Sequence, residues 1–408
     1  MDGLRSTVAK LAALRGQMDH LARSVPGVSP STTVRLAETA EFGRNPGKLR
    51  MLHHVPDSAT PAPALVVALH GCTQTAESYN DGSGWSTLAE RHGFALLMPE
   101  QQSGNNPNLC FNWFEPGHTR RGGGEALSIH QMIKCMIDTH GLDRNRVFVV
   151  GLSAGGAMTA AMLAAYPNVF AAGAVIAGLP AGAATNMREA MDVMRAGSER
   201  DPQAWGDVVR RASPHVGPWP RLSVWHGDAD PIVHPQNAEN IVEQWRNLLA
   251  LGPEPEITRS ESGHRRQVWR DATGAEAIES YTVTGMSHGV PIGLNDPAER
   301  CGRAGPLHFD VGISSAASIV RFFGIAALVP RQTVANEPEG QRSAGSSYDG
   351  HYPTTGRTPA DPRDAIAAAL RQAGIIHDGA DSPHLPGAAL DAHRIVAETL
   401  RAVGLLKH

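Results

Sequence analysis

Cysteine is scarce in this chain. Four residues of 408 (Cys72, Cys110, Cys135 and Cys301) are too few for a disulfide framework at such a length. Charge of one sign is lacking as well. The 36 Lys and Arg nearly balance the 40 Asp and Glu, leaving a formal net charge of −4 with no dominant block. Nucleic-acid binding needs a concentrated basic face, so that class is excluded. No stretch of about 18 apolar residues occurs, and no membrane span is predicted. Near the N-terminus Lys10, Arg15, Asp19 and Arg23 interrupt every apolar run before it reaches the roughly 7–15 residues of a signal peptide. Cytoplasmic placement is the resulting expectation.

What remains fits a soluble globular protein, with hydrophobic residues at 41% and charged residues at 19%. Leu4, Val8, Leu11, Met18 and Leu21 recur at helical spacing, so residues 1–30 read as an N-terminal amphipathic helix with its terminator. The centre alternates two kinds of segment. Apolar runs at 64–69, 94–98, 147–150, 171–177, 222–225 and 280–283 read as strands. Between them lie helical patterns at 84–92, 125–140, 156–165 and 235–249. Leu65-Val66-Val67-Ala68-Leu69 is apolar on both faces, as expected for a parallel sheet covered on both sides. Residues 35–328 are therefore predicted to form one doubly wound α/β domain. Residues 331–361, rich in Ser, Gly, Pro and Thr, read as a low-complexity linker, and 362–408 as a helical C-terminal tail.

The most informative segment is Val147-Phe148-Val149-Val150-Gly151-Leu152-Ser153-Ala154-Gly155-Gly156. G-x-S-x-G by itself means little in a chain with 43 glycines. Here it joins an apolar strand to a helix of small residues, the context in which a nucleophilic serine is lifted above a sheet. Ser153 is thus the candidate nucleophile. Two backbone N–H groups are needed for the oxyanion. Ala154, directly after the nucleophile, supplies one. The loop Leu69-His70-Gly71-Cys72-Thr73-Gln74 supplies the other, from Cys72 or, second, Thr73. His70 precedes the nucleophile and reads as structural.

In this fold the chain order is serine, acid, histidine. The next strand end after the elbow offers two carboxylates, Asp228 and Asp230, in Trp225-His226-Gly227-Asp228-Ala229-Asp230-Pro231. The strand at 280–283 leads into Gly285-Met286-Ser287-His288-Gly289, which makes His288 the candidate base. His264, in a charged hairpin-like stretch, reads as solvated surface, and His308 lacks a glycine-bounded loop.

At these residues the sequence resembles the polyhydroxybutyrate (PHB) depolymerase family of esterases. The resemblance rests on Leu69-His70-Gly71-Cys72, Pro99-Glu100-Gln101-Gln102, Cys110-Phe111-Asn112-Trp113-Phe114 and Gly123-Gly124-Glu125. It also rests on the elbow and on His226-Gly227-x-x-Asp230-x-x-Val233. It implies an α/β-hydrolase fold, no cofactor or metal, and hydrolysis of short-chain hydroxyalkanoate esters, as polymer or oligomers. It carries the nucleophile role to Ser153, the acid to Asp230 and the base to His288. It also puts Trp113 and Phe114 at the substrate cleft, with Cys72 and Cys110 close enough to bridge on oxidation. Partners are then the ester itself and, through the terminal helices, a granule surface. Two other readings share many of these features: a carbohydrate esterase of the acetylxylan or feruloyl type, and an inactive hydrolase-fold scaffold.

Overall fold

The computed structural model describes residues 34–57, 62–297 and 299–326. All belong to the first of two units into which the chain divides, residues 1–331 and 332–408. The expected N-terminal helix (1–30), linker (331–361) and helical tail (362–408) lie outside the described residues, and with them the granule contact.

The six apolar runs become six neighbouring parallel strands: β3 (Leu65–Leu69), β4 (Ala95–Glu100), β5 (Val147–Leu152), β6 (Ala172–Ile176), β7 (Arg221–Gly227) and β10 (Glu276–Val283). Their order is β4-β3-β5-β6-β7-β10. Antiparallel strands extend both edges. On one side are β1 (Ala37–Thr39) and β2 (Arg50–His54); on the other, β8 (Ile257–Glu261) and β9 (His264–Arg270). Apart from the hairpin-like stretch around His264, the sequence pattern does not predict them, because they are short or charged and carry no apolar run.

Alternation along β3 shows why both faces had to be apolar. Leu65, Val67 and Leu69 enter the core beneath helices Gly124–His140, Ala154–Ala165 and Gln236–Leu249. Val66 and Ala68 enter the opposite core, beneath Ala76–Ser83, Trp85–His92 and Ser315–Phe322. Successive side chains of a strand point to opposite faces, so a strand covered on both sides needs no polar position. This is the α/β-hydrolase fold. Among the described residues, no helix is long and apolar enough to cross a membrane.

Trp225 and Tyr281 are register partners on β7 and β10 and stack at 3.7 Å between ring centroids. Such a pair contributes about 0.5–1.5 kcal/mol beyond its buried area, and it fixes the two strands that end in the Asp230 and His288 loops. His264 corrects an expectation. The stretch is a hairpin, but its imidazole is buried, with Nε2 against the Val311 carbonyl at 2.8 Å and Nδ1 accepting from the Thr284 N–H at 3.2 Å. The surrounding arginines concealed this. One of them, Arg266, itself turns inward onto Glu279.

Candidate active site

Ser153 stands between β5 and the helix Ala154–Ala165, with φ +56° and ψ −117°. A non-glycine residue there is strained, and its N–H is fixed by the Ile176 carbonyl at 2.9 Å. The flanking glycines are steric requirements. A Cβ on Gly151 would lie 2.2 Å from the Gly155 carbonyl oxygen, and one on Gly155 would lie 2.3 Å from that of Leu69. The helix that follows puts the Ala154 N–H at its first turn, where N–H groups have no intrahelical acceptor.

The loop after β3 approaches the elbow at that glycine contact. Its N–H groups are not equivalent. That of Gly71 donates to Gln74 Oε1 at 2.8 Å, and that of Thr73 to the Asn108 carbonyl at 2.7 Å. The Cys72 N–H has no partner among the described residues. Thr73 is thereby removed as a donor. Cys72 is bonded to Cys110 with Cα atoms 4.2 Å apart, joining this loop to the segment that carries Trp113 and Phe114.

Trp113 and Phe114 pack edge to face at 5.7 Å. They share an apolar cluster with Ala154, Ala157, Leu179 and Val233, bordered by Cys72 and Cys110. Both are buried, at 8% and 7% exposed. They therefore wall the elbow from one side and belong to the packing at the same time.

Asp230 follows β7 and is buried. Its Oδ1 accepts from the N–H groups of Ile232 and Val233 at 2.8 and 2.9 Å. Its Oδ2 lies 2.7 Å from His288 Nδ1 and 3.2 Å from His226 Nε2. Burial works to raise the pKa of this carboxyl, but the hydrogen bonds from His226 and His288 outweigh it and hold the group well below the usual carboxylate range. An ionised carboxylate only accepts. The proton on His288 therefore sits on Nδ1, and Nε2 is left with its lone pair. Asp228 is exposed and binds the Gly285 N–H at 2.6 Å, tying the two loops together as a turn aspartate does. His70 is buried. Its Nδ1 faces the Gly71 carbonyl at 2.8 Å, and its Nε2 accepts from the Gln101 N–H at 3.1 Å. Burial lowers its pKa to about 4, so it is a neutral structural ring.

Sequence reasoning gives Glu125 no role of its own, although it stands in the Gly123-Gly124-Glu125 motif. Its fully buried carboxylate accepts from Gln101 Nε2 (2.7 Å), Asn112 Nδ2 (2.7 Å) and the Asn112 N–H (2.9 Å). Gln101 also reaches the Cys110 carbonyl at 3.0 Å. The carboxylate thus holds both the aromatic segment and, through Gln101 and His70, the Cys72 loop. Its burial and its amide partners arise only in the fold, so the sequence carried no signal for this role beyond the motif itself. Among the described residues, no group of three His, Cys, Asp or Glu side chains is arranged to hold a metal.

Sheet, elbow and strand-end loops define an α/β-hydrolase of the serine-hydrolase type. Residues 50–252 match the family model described as esterase PHB depolymerase. The chain is 44% identical over 323 residues to poly(3-hydroxyalkanoate) depolymerase C of Paucimonas lemoignei, covering 79% of this chain and 78% of that one. It is 34% identical to feruloyl esterase B of Neurospora crassa over 63% of this chain and 88% of that one. The structure is similar to an acetyl xylan esterase from Aspergillus awamori, with TM-score 0.61 and 26% identity, over 72% of this chain and all of that one. The chain belongs to the PHB depolymerase family of esterases and is a carboxylic ester hydrolase.

Proposed function

We propose that this enzyme hydrolyses hydroxyalkanoate esters, as PHB polymer or its oligomers, through a Ser153–His288–Asp230 triad and an acyl-enzyme. The observation that carries the mechanism is the 2.7 Å bond between His288 Nδ1 and Asp230 Oδ2. Both groups follow carboxyl ends of the same parallel sheet that presents Ser153. His288 Nε2 takes the Ser153 proton as Oγ attacks the ester carbonyl, and Asp230 stabilises the imidazolium that forms. The Ala154 and Cys72 N–H groups receive the developing oxyanion. His288 returns the proton to the leaving alcohol, and water then releases the acyl group by the same route. Trp113 and Phe114 supply apolar surface beside the elbow.

The substrate class is supported by the Paucimonas relative, which matches a larger share of this chain than the feruloyl esterase does. The similarity to the Aspergillus acetyl xylan esterase favours a second reading, removal of acyl groups from polysaccharide. Turnover of hydroxybutyrate oligomers, acetylated xylan and para-nitrophenyl butyrate by one preparation separates them. Oligomers are expected to be cleaved with the higher kcat/KM of the two natural classes. Preference for acetylated xylan would transfer the assignment. The expected cytoplasmic placement meets one opposing observation, the Cys72–Cys110 bridge, since cytosolic thiols are kept reduced.

A further inference from the structure

The motif His226-Gly227-x-x-Asp230-x-x-Val233 contains one histidine that the triad does not use. Its geometry is specific. His226 is buried, 3% exposed, and its Nε2 lies 2.8 Å from the Val233 carbonyl and 3.2 Å from Asp230 Oδ2. Both neighbours are acceptors, so Nε2 carries the ring proton. The other nitrogen, Nδ1, is buried without a partner.

From this we infer that His226 is a positioning residue for the triad acid, acting through its Nε2–H on the Asp230 oxygen that also receives His288. The inference rests on Asp230 being that acid. Three contacts close a ring. Val233 N–H donates to Asp230 Oδ1, the Val233 carbonyl accepts from His226 Nε2, and the same Nε2 lies 3.2 Å from Asp230 Oδ2. The ring explains the spacing of the motif. Gly227 must be glycine because a Cβ would lie 2.1 Å from the Met286 carbonyl oxygen, and this close approach brings the His288 loop over the Asp230 loop. A carboxylate held at both oxygens cannot rotate away from His288 during the proton transfers. Errors of about 1 Å in such an arrangement cost up to about 100-fold in rate.

The test compares three variants by kcat and KM on para-nitrophenyl butyrate, with thermal unfolding alongside. Glutamine can place an N–H near the Nε2 position, whereas asparagine reaches only the Nδ1 position and leucine offers no donor. His226→Gln is expected within about threefold of the parent. His226→Asn and His226→Leu are expected to lose about 10–100-fold in kcat with KM unchanged. In an Asp230→Asn background the leucine change should cost nothing further, because the group it acts on is already altered. Parental kcat in the asparagine and leucine variants, or an equal loss in the glutamine variant, overturns the inference. A fully active Asp230→Asn instead overturns the triad itself, so the two failures are distinguishable. If leucine prevents folding, the Gln and Asn pair decides. On the parent protein, imidazole nitrogen shifts must report His226 protonated at Nε2; protonation at Nδ1 would contradict the inference without any variant.

Discussion

Gly155 lies so close to Leu69 that a Cβ would stand 2.3 Å from the Leu69 carbonyl oxygen and 2.5 Å from that of His70. The elbow helix and the Cys72 loop meet at this point. Gly155→Ala is therefore expected to push them apart, costing about 1–3 kcal/mol of stability and most of the esterase turnover. Gly104, where an added Cβ would meet nothing within 4 Å, is the control, and its alanine variant should match the parent. Urea unfolding and para-nitrophenyl butyrate turnover on both variants check this.

Glu125→Gln leaves the shape of the buried carboxylate but turns an N–H toward a donor. Asn112 offers donors to both oxygens, so either amide orientation leaves one unpaired. The expected cost is about 1–3 kcal/mol, with kcat reduced about tenfold as the aromatic segment and the Cys72 loop loosen. Unchanged stability and kcat would show that the network does not hold these loops.

Reduction of the Cys72–Cys110 bond should affect stability and rate together. The bridged residues are 38 apart, for which chain entropy gives about 4 kcal/mol. The freed Cys72 N–H should also lose register with the oxyanion, lowering kcat by about 10–100-fold. Cys110→Ser in the absence of reductant must reproduce the effect, and reductant must then add nothing.

His70 makes stability depend on pH. Its pKa falls to about 4 in the folded protein because burial disfavours the charged ring, against the opposing hydrogen bond to Gly71 and the charge of Glu125. The unfolded value is about 6.5. Between these pH values the unfolded chain binds more protons, so stability is full above about pH 6.5 and is lost as pH falls toward 4. For this group the loss approaches about 3 kcal/mol. His53, His92, His130 and His308 are lowered by burial too, so the parent slope is steeper than His70 alone provides. The unfolding free energy of His70→Gln should fall less over that interval, and an identical slope would contradict the assignment.

The six parallel strands were legible because each carries an apolar stretch that helices on both faces cover, although β7 and β10 also hold polar residues such as Ser223 and Glu279. The edge strands were not. β9 reads His-Arg-Arg-Gln-Val-Trp-Arg, and the pairing of Arg266 with Glu276 and Glu279 makes its charge compatible with burial. The helix Ala76–Ser83 was hidden by Asn, Asp, Gly and Ser, and the Thr75–Ser78 capping box helps to secure it. At the candidate site, the strand–turn–helix geometry around Ser153 was legible from its local context alone. Asp230 and Asp228 are two residues apart, and periodicity could not separate them; in the fold their partners differ, one being bonded to His288 and the other to a backbone N–H. Glu125 and His226 escaped because their roles exist only in contacts that the folded loops create.

The role proposed for Ser153 as the nucleophile stands or falls on turnover of para-nitrophenyl butyrate by Ser153→Ala. The substitution removes one hydroxyl from a residue that is 8% exposed, so the folded structure and its thermal unfolding should be retained. Loss of the nucleophile in such a triad costs about 10⁶ in kcat, and a fall of that order is expected. A folded Ser153→Ala protein that keeps even a tenth of parental turnover would contradict it.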